Sequence, residues 1–149
     1  MQGSPKKICL LDWQVSRYAS PGLDIAYYLL SSTSKELWDQ YYDQLIQIYY
    51  TSLSDIITHC GSDPSKLFSF ENLQEHLKKF AIFGVIMAPT LLSVMLSDPE
   101  NCADMEKLAE KEVLDLANFD EKTEKRYKQR VSDVLQFAKK QEWINLNEH

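Results

Sequence analysis

The stretch from residue 8 to residue 30 reads ICLLDWQVSRYASPGLDIAYYLL, and its pattern changes twice along its length. The apolar run over residues 7–11 has the length and composition of a short buried strand. After an irregular segment, Ser20 and Pro21 indicate a helix start, because a serine hydroxyl accepts from unpaired amides and proline suits the first helical position. We therefore predict a β segment followed by a helix that ends in the cluster at 31–34.

The rest of the chain has the periodicity of helices. Thr33 and Glu36 have the spacing of a capping box. A stripe of apolar residues at steps of three and four follows them and stops at residues 61–64. We expect a further helix over 69–96, kinked at its internal proline, and a last helix that begins near Asp120. The predicted fold class is mainly α, with a short N-terminal β segment.

Residues 80–97, FAIFGVIMAPTLLSVMLS, carry no charge. Their number is about the lower limit for a transmembrane helix, which needs roughly 18 apolar residues. Glycine, proline, serine and threonine dilute the stretch, and charged residues follow it directly. A helix buried on nearly all sides explains this composition better than a membrane span, and we predict no contact with a membrane.

The length and the net charge of the chain limit the class of protein to which it can belong. The chain has 149 residues, which suit a single domain, and 22 acidic against 16 basic residues give a net charge of −6. This balance disfavours nucleic acid as a partner, because nucleic-acid binding needs a basic surface. Cys9, Cys60 and Cys102 form no close pair, and no hydrophobic leader is evident. Both observations favour a cytoplasmic protein with reduced thiols.

Asp12 is the first candidate functional residue, since it stands where the apolar run meets the irregular segment. A carboxylate that the buried run holds rigidly on one side, and that is open on the other, offers the hard oxygen ligands that Mg²⁺ prefers. An aspartate at the end of a strand is also a common turn former. Position and chemistry by themselves leave both interpretations open.

The same segment resembles the region after the catalytic loop in small-molecule kinases related to choline and aminoglycoside kinases. It is most similar to the ecdysteroid-kinase-like group, whose pattern reads hydrophobic-hydrophobic-Asp-aromatic-Gln, Ser-Arg-Tyr, Pro, then Leu-Asp-aliphatic-Ala-Tyr. The matching residues are Asp12-Trp13-Gln14, Ser16-Arg17-Tyr18, Pro21 and Leu23-Asp24-Ile25-Ala26-Tyr27. The resemblance implies the C-terminal helical lobe of a protein-kinase-like fold, of the choline and aminoglycoside phosphotransferase type.

The resemblance implies roles for two aspartates. Asp12 corresponds to the aspartate that ligates Mg²⁺ at the nucleotide phosphates. Asp24 corresponds to a structural brace that accepts hydrogen bonds from the backbone of the catalytic loop. Independently of any family, a carboxylate at this place in a helix also interacts favourably with the helix dipole. Both descriptions of Asp24 can hold at once.

Four further residues are weaker candidates. Gln14 and Arg17 lie inside the matching motif and are candidates for supporting the site; Arg17 pairs with a carboxylate or only caps a turn. Tyr27 and Tyr28 are candidates for the acceptor pocket, because the helical lobe lines that pocket in the family. The alternative for the tyrosines is an aromatic helix core whose hydroxyls reach the surface.

The family also needs a glycine-rich phosphate loop, a phosphate-binding lysine and a His-Gly-Asp catalytic loop with a downstream asparagine. None of these motifs is found, and the first histidine of the chain is His59. We therefore interpret residues 1–149 as a single partial domain that lacks the N-terminal lobe and the catalytic loop. Mg²⁺ and ATP belong to the intact family enzyme, and we expect this chain alone to bind neither stably.

The predicted function is that of a fragment of an ATP-dependent kinase acting on a small-molecule hydroxyl, such as an ecdysteroid-like compound or an amino-alcohol. We expect negligible activity from the fragment alone, since positioning and phosphate clamping supply most of the rate in phosphoryl transfer. The alternative is a non-catalytic helical interaction module derived from such a kinase. Ile8, Leu10 and Leu11 would then form an exposed edge through which the chain associates.

Overall fold

The computed structural model describes residues 7, 9, 16–96 and 119–145. Helix makes up 79% of these residues, which confirms the predicted mainly helical class, and none of them is in a strand. Six helices are found there: α1 (Pro21–Ser32), α2 (Lys35–His59), α3 (Pro64–Leu67), α4 (Phe70–Phe80), α5 (Ile82–Leu96) and α6 (Glu121–Lys140). Of the predicted β segment only Lys7 and Cys9 are described, and the rest of it lies outside the described residues.

Local sequence signals set most helix starts. The Ser20 hydroxyl accepts from the amide of Gly22, and Pro21 is the first residue of α1, as predicted. α6 begins at the predicted place, because the Asp120 carboxylate accepts from the amide of Thr123. A capping box between Ser69 and Asn72 starts α4.

The core lies around α1, which packs against α4 on one side and α5 on another, while α6 covers α5 and part of α2. Ala26 and Leu30 of α1 are fully buried. Gly84 of α5 lies so close to α1 that an added Cβ would stand 2.6 Å from the carbonyl carbon of Ala26. The two helix backbones therefore touch at this crossing, and only glycine fits between them.

The predicted capping box of Thr33 with Glu36 is wrong. Ser34 is the N-cap residue of α2, and its side chain makes no capping hydrogen bond to the helix backbone. The Thr33 hydroxyl instead donates to the carbonyl of Leu29 at 2.7 Å and accepts from the indole N–H of Trp38 at 2.6 Å. A contact to the buried Trp38, five residues further along the chain, thus replaces the capping box that the spacing predicted.

The single helix predicted over 69–96 is two helices, α4 and α5, which are separated at Ala81. The segment Pro64–Phe80 and α5 are bent by 54° at this break. Pro89 lies inside α5. α5 is also less enclosed than its composition predicted, because Ile86 is 65% exposed and Phe83 is 43% exposed. After the bend, α5 packs against α1 and α6, whereas Ile82, Phe83 and Ile86 remain exposed.

Length and apolar composition together decide whether one of the described helices could cross a membrane. No individual helix there combines the length and the apolar composition that a membrane crossing requires. Pro64–Phe80 and Ile82–Leu96 meet those two criteria only when they are joined across their bend.

The turn after α6 gives a first testable prediction. Glu142 has a φ of 59°, and Trp143 N–H donates to the carbonyl of Ala138, so the turn is a Schellman motif with a glutamate where glycine is favoured. We expect Glu142→Gly to raise the free energy of unfolding by about 1 kcal/mol, because a left-handed residue with a Cβ is strained. Urea unfolding measures this change.

The matched control for this variant is Glu142→Gln, which removes the charge but keeps the Cβ. Both variants lose the ion pair of Glu142 with Lys78, whose side chains are 73% and 61% exposed, and such a pair contributes little. The two variants are compared at high salt. If Glu142→Gly is no more stable than Glu142→Gln, the backbone at residue 142 is not strained.

Candidate functional site

Asp24 is the one predicted site aspartate within the described residues. It lies in the first turn of α1, is exposed, and makes no hydrogen bond or ion pair with any other described residue. The position near the helix N-terminus favours its negative charge. α1 is fixed behind it, because an added Cβ at Gly22 would stand 2.8 Å from the carbonyl oxygen of His76 on α4. Asp24 is therefore a carboxylate without a polar partner in the described part of the chain, and it stands on a rigid support.

An open groove of about 630 Å³ runs beside Asp24. The start of α1, the second half of α2 and one side of α4 form its walls. Its remaining lining is mostly apolar, and its polar side chains are those of Tyr18, Ser20, Asp24, Tyr49 and His76. A volume of this order, with a few polar groups among apolar walls, is typical of small-molecule sites, which are about 300–1,000 Å³.

His76 is the most constrained polar side chain in the groove. Its Nδ1 lies 2.9 Å from the Ser20 hydroxyl oxygen. Phe68 and Phe80 meet the imidazole edge-on, with ring centroids at 5.0 and 5.4 Å. The Ser20 hydroxyl also accepts from the Gly22 amide, so it can donate its own proton to Nδ1. This arrangement ties the start of α1 to α4 and fixes the ring at the groove wall.

Tyr49 stands on α2 near Asp24. Burial raises the pKa of the Tyr49 phenol, and the negative charge of Asp24 raises it further. The phenol therefore keeps its proton at neutral pH and remains able to donate a hydrogen bond into the groove. Tyr49 belongs to the helical stripe that the sequence displays, but the spacing of that stripe does not distinguish a groove residue from a core residue.

The other predicted site residues are placed differently. Arg17 is exposed and forms no ion pair with another described residue. Tyr27 stacks on Phe83 with centroids 5.9 Å apart, and Tyr28 is 63% exposed; neither lines the groove beside Asp24. Their roles stay predictions.

Asp12 and Gln14 lie outside the described residues, so the predicted magnesium ligand is not tested by the geometry. Within the described ranges, no group of three or more histidine, cysteine, aspartate or glutamate side chains could hold a metal ion. The magnesium expectation therefore depends on Asp12 and on the family pattern around it.

Sequence reasoning missed His76. Its hydrogen-bond partner Ser20 is 56 residues away, and no local spacing links the two. The only sequence signal is its position four residues before Phe80 on an amphipathic helix, which would place both side chains on one face.

Ser20 supports both the helix start and the His76 ring, which gives a second prediction. We expect Ser20→Ala to lower the free energy of unfolding by about 1–2 kcal/mol, since it removes an N-cap and a partly buried hydrogen bond. Ser20→Thr keeps the hydroxyl and should lose less. Thermal unfolding measures both variants, and the ¹⁵N shifts of His76 should change only in the alanine variant. Equal stability of the alanine variant and the parent would contradict this role.

The described residues form a mainly helical body. A comparison with known families makes this class more specific. Residues 1–62 match the model of the ecdysteroid kinase-like family, which confirms the predicted resemblance over this part of the chain. The family match is consistent with a fragment of a kinase-like fold. The matched range contains Asp12, Asp24, α1 and α2, and it ends before α4 supplies the other wall of the groove. No curated protein and no solved structure matches the chain significantly.

Proposed function

We propose that this chain is the C-terminal helical part of an ATP-dependent kinase that phosphorylates a hydroxyl group of a small molecule. The observation that carries the proposal is Asp24: a carboxylate without a polar partner in the described part of the chain, on a rigid helix start, at the wall of an open groove, within the range that matches the ecdysteroid kinase-like family. Carboxylates in such a position can accept hydrogen bonds from the backbone of an approaching loop.

In this proposal each part of the site has one task. Asp24 braces the catalytic loop, which comes from polypeptide other than these 149 residues. Asp12 is the ligand for Mg²⁺, which the intact family enzyme binds together with ATP. The helical body holds the acceptor, and a cytoplasmic location suits a sequence whose cysteines form no close pair. The class of acceptor, ecdysteroid-like or amino-alcohol, is part of the proposal.

The first test uses the chain as it is. We expect the purified protein, given Mg²⁺, ATP and a panel of hydroxylated steroids and amino-alcohols, to show no acceptor-dependent release of ADP. The physical reason is that phosphoryl transfer depends on positioning and charge stabilisation by groups that this sequence does not contain. Turnover that Asp12→Ala abolishes would overturn the proposed inactivity.

The second test restores the missing part. A family enzyme's segment up to and including its catalytic loop is joined ahead of residue 7. We expect acceptor-dependent turnover that Asp12→Ala abolishes and that Asp24→Ala lowers by about 10²-fold, the effect of a misplaced catalytic group. Asp55→Ala is the matched control, because Asp55 is an exposed carboxylate on α2 that lines no part of the groove. A folded, active chimera that is insensitive to both Asp12 and Asp24 would refute the proposal.

One observation favours the alternative, a helical interaction module. Tyr28 of α1 and Phe83 and Ile86 of α5 are large apolar side chains that remain exposed, and exposed apolar surface often marks association. If the chain is such a module, it should associate in a concentration-dependent way, and Ile86→Lys should prevent the association. Sedimentation velocity distinguishes the cases, since a monomer at all concentrations would remove the support for self-association.

A further inference from the structure

A second cavity, of about 500 Å³, lies between α2, α4 and the turn that follows α6. It shares no lining residue with the groove beside Asp24. Gln74 and Lys78 of α4 face this cavity, whereas His76 and Phe80 face the groove. A shift of two residues is about 200° around a helix, so α4 separates the two spaces.

Aromatic rings form the floor of this cavity. Tyr42 and Trp143 are 9% and 6% exposed, and their rings meet edge-on with centroids 5.9 Å apart. Phe137 packs behind both, at 5.2 Å from Tyr42 and 5.5 Å from Trp143. Because the rings are held from behind, they offer a rigid apolar surface to any molecule that enters.

The cavity also carries one uncompensated negative charge. Asp43 lines it and forms no ion pair with another described residue. Lys78, which also lines it, is bound to Glu142 at 2.9 Å. Burial raises the pKa of the Tyr42 phenol, and the nearby charge of Asp43 raises it further. The phenol therefore remains neutral beside a carboxylate.

The remaining polar groups are uncommitted amides. The side chains of Gln47, Gln74 and Gln141 line the cavity, and none of them hydrogen bonds to another described residue. Their carbonyl oxygens can accept from an N–H donor. A carboxylate, aromatic rings and amide oxygens around one space match the needs of an ammonium group that carries an apolar body.

We propose that this cavity binds a small organic cation, with its ammonium group at Asp43 and its apolar body on Tyr42 and Trp143. The site does not depend on the proposed kinase function, since it lies on the other side of α4 from Asp24. The rival ligand chemistry is a neutral alcohol, which the three amides could serve without help from Asp43. Binding of the organic cation depends on the negative charge of Asp43, whereas binding of a neutral alcohol does not.

The test compares two probes of nearly the same shape. Protonated 2-phenylethylamine carries the charge, and 2-phenylethanol replaces the ammonium group with a hydroxyl. Binding to the purified chain is measured by calorimetry and by NMR shift changes at Trp143. We expect the amine to bind at least about tenfold more tightly than the alcohol, as a charge-assisted hydrogen bond provides this much.

Variants locate the charge that recognises the amine. Asp43→Asn should weaken amine binding by about tenfold or more and leave alcohol binding unchanged. Asp55→Asn, on the same helix and away from the cavity, should bind the amine as the parent does. The proposal is overturned if the amine does not bind, if the alcohol binds equally well, or if Asp43→Asn has no effect in a protein that retains its helical circular dichroism.

Discussion

Replacing Trp38 with alanine is expected to lower the free energy of unfolding by about 3–5 kcal/mol, the usual loss for a buried aromatic residue. Trp38 is 1% exposed, and its indole N–H donates to the Thr33 hydroxyl and to the Leu29 carbonyl. Its ring packs on Phe137 of α6, with centroids 5.3 Å apart. The variant would therefore loosen α1, α2 and α6 from one another.

The guanidinium of Arg130 adds a further tie at this point. It lies 5.4 Å from the Trp38 ring and also donates to the carbonyl of Thr33. Loss of the ring removes this cation–π contact as well, which adds about 0.5–1 kcal/mol where the site is partly exposed. Trp38 thus joins the end of α1 to α6 through both packing and polar contacts.

Urea unfolding measures the effect, and two variants separate its causes. Trp38→Phe keeps most of the ring but removes the indole N–H, which should cost about 1 kcal/mol. The Thr33 hydroxyl then loses its donor, whereas the Leu29 carbonyl still accepts from the hydroxyl and the amide of Thr33. Tyr28→Ala, at a side chain that is 63% exposed, should change stability by no more than about 0.5 kcal/mol. If Trp38→Ala and Tyr28→Ala were equally stable, the arrangement of α1, α2 and α6 would be incorrect.

The second large effect is expected from Gly84→Ala. An alanine usually stabilises a helix interior by about 0.5–1 kcal/mol relative to glycine. Here the added Cβ would lie 2.6 Å from the Ala26 carbonyl carbon and 2.7 Å from the Tyr27 amide nitrogen. These are backbone atoms of α1 that no rotamer change can move. We expect a net loss of about 1–3 kcal/mol or more, the range for overpacked cores.

The decisive result for Gly84→Ala is whether the free energy of unfolding rises or falls. Gln44→Ala, at an exposed position of α2, gains helix propensity without a clash and should be neutral or slightly stabilising. A Gly84→Ala variant that is as stable as Gln44→Ala would show that α1 and α5 do not cross at this residue. Because α1 carries Asp24, a displaced crossing should also weaken the turnover of the chimeric kinase described above.

The family motif and the packing of the helices support different parts of the proposed function. The match covers residues 1–62, where both aspartates lie, and it supports a kinase-like family member. The groove, however, needs His76 and Phe80 from α4, outside the matched range. The proposal for phosphoryl transfer therefore depends on the motif, whereas the shape of the candidate site depends on the packing of helices that the motif does not contain.

The amino-acid sequence by itself determined the helical class, the start of α1 at Ser20-Pro21, the end of α2 before residue 61 and the start of α6 after Asp120. These features follow from short-range chemistry, because a cap or a breaker acts within one turn. The resemblance of residues 8–30 to a kinase family was also readable, since it depends on residue types at fixed spacing.

Only the tertiary structure decided the bend at Ala81, the loss of the Thr33–Glu36 capping box and the pairing of Ser20 with His76. Ser20 and His76 are 56 residues apart, and Gly84 of α5 meets Ala26 of α1. Trp38 is only five residues from Thr33, but its ring packs on Phe137 of α6. Trp38 donates to the hydroxyl of Thr33, and Gly84 lets α5 pack directly on the backbone of α1. The free energies of such packing contacts exceed local propensities of a few tenths of a kcal/mol, so no pattern within one helix could have predicted them.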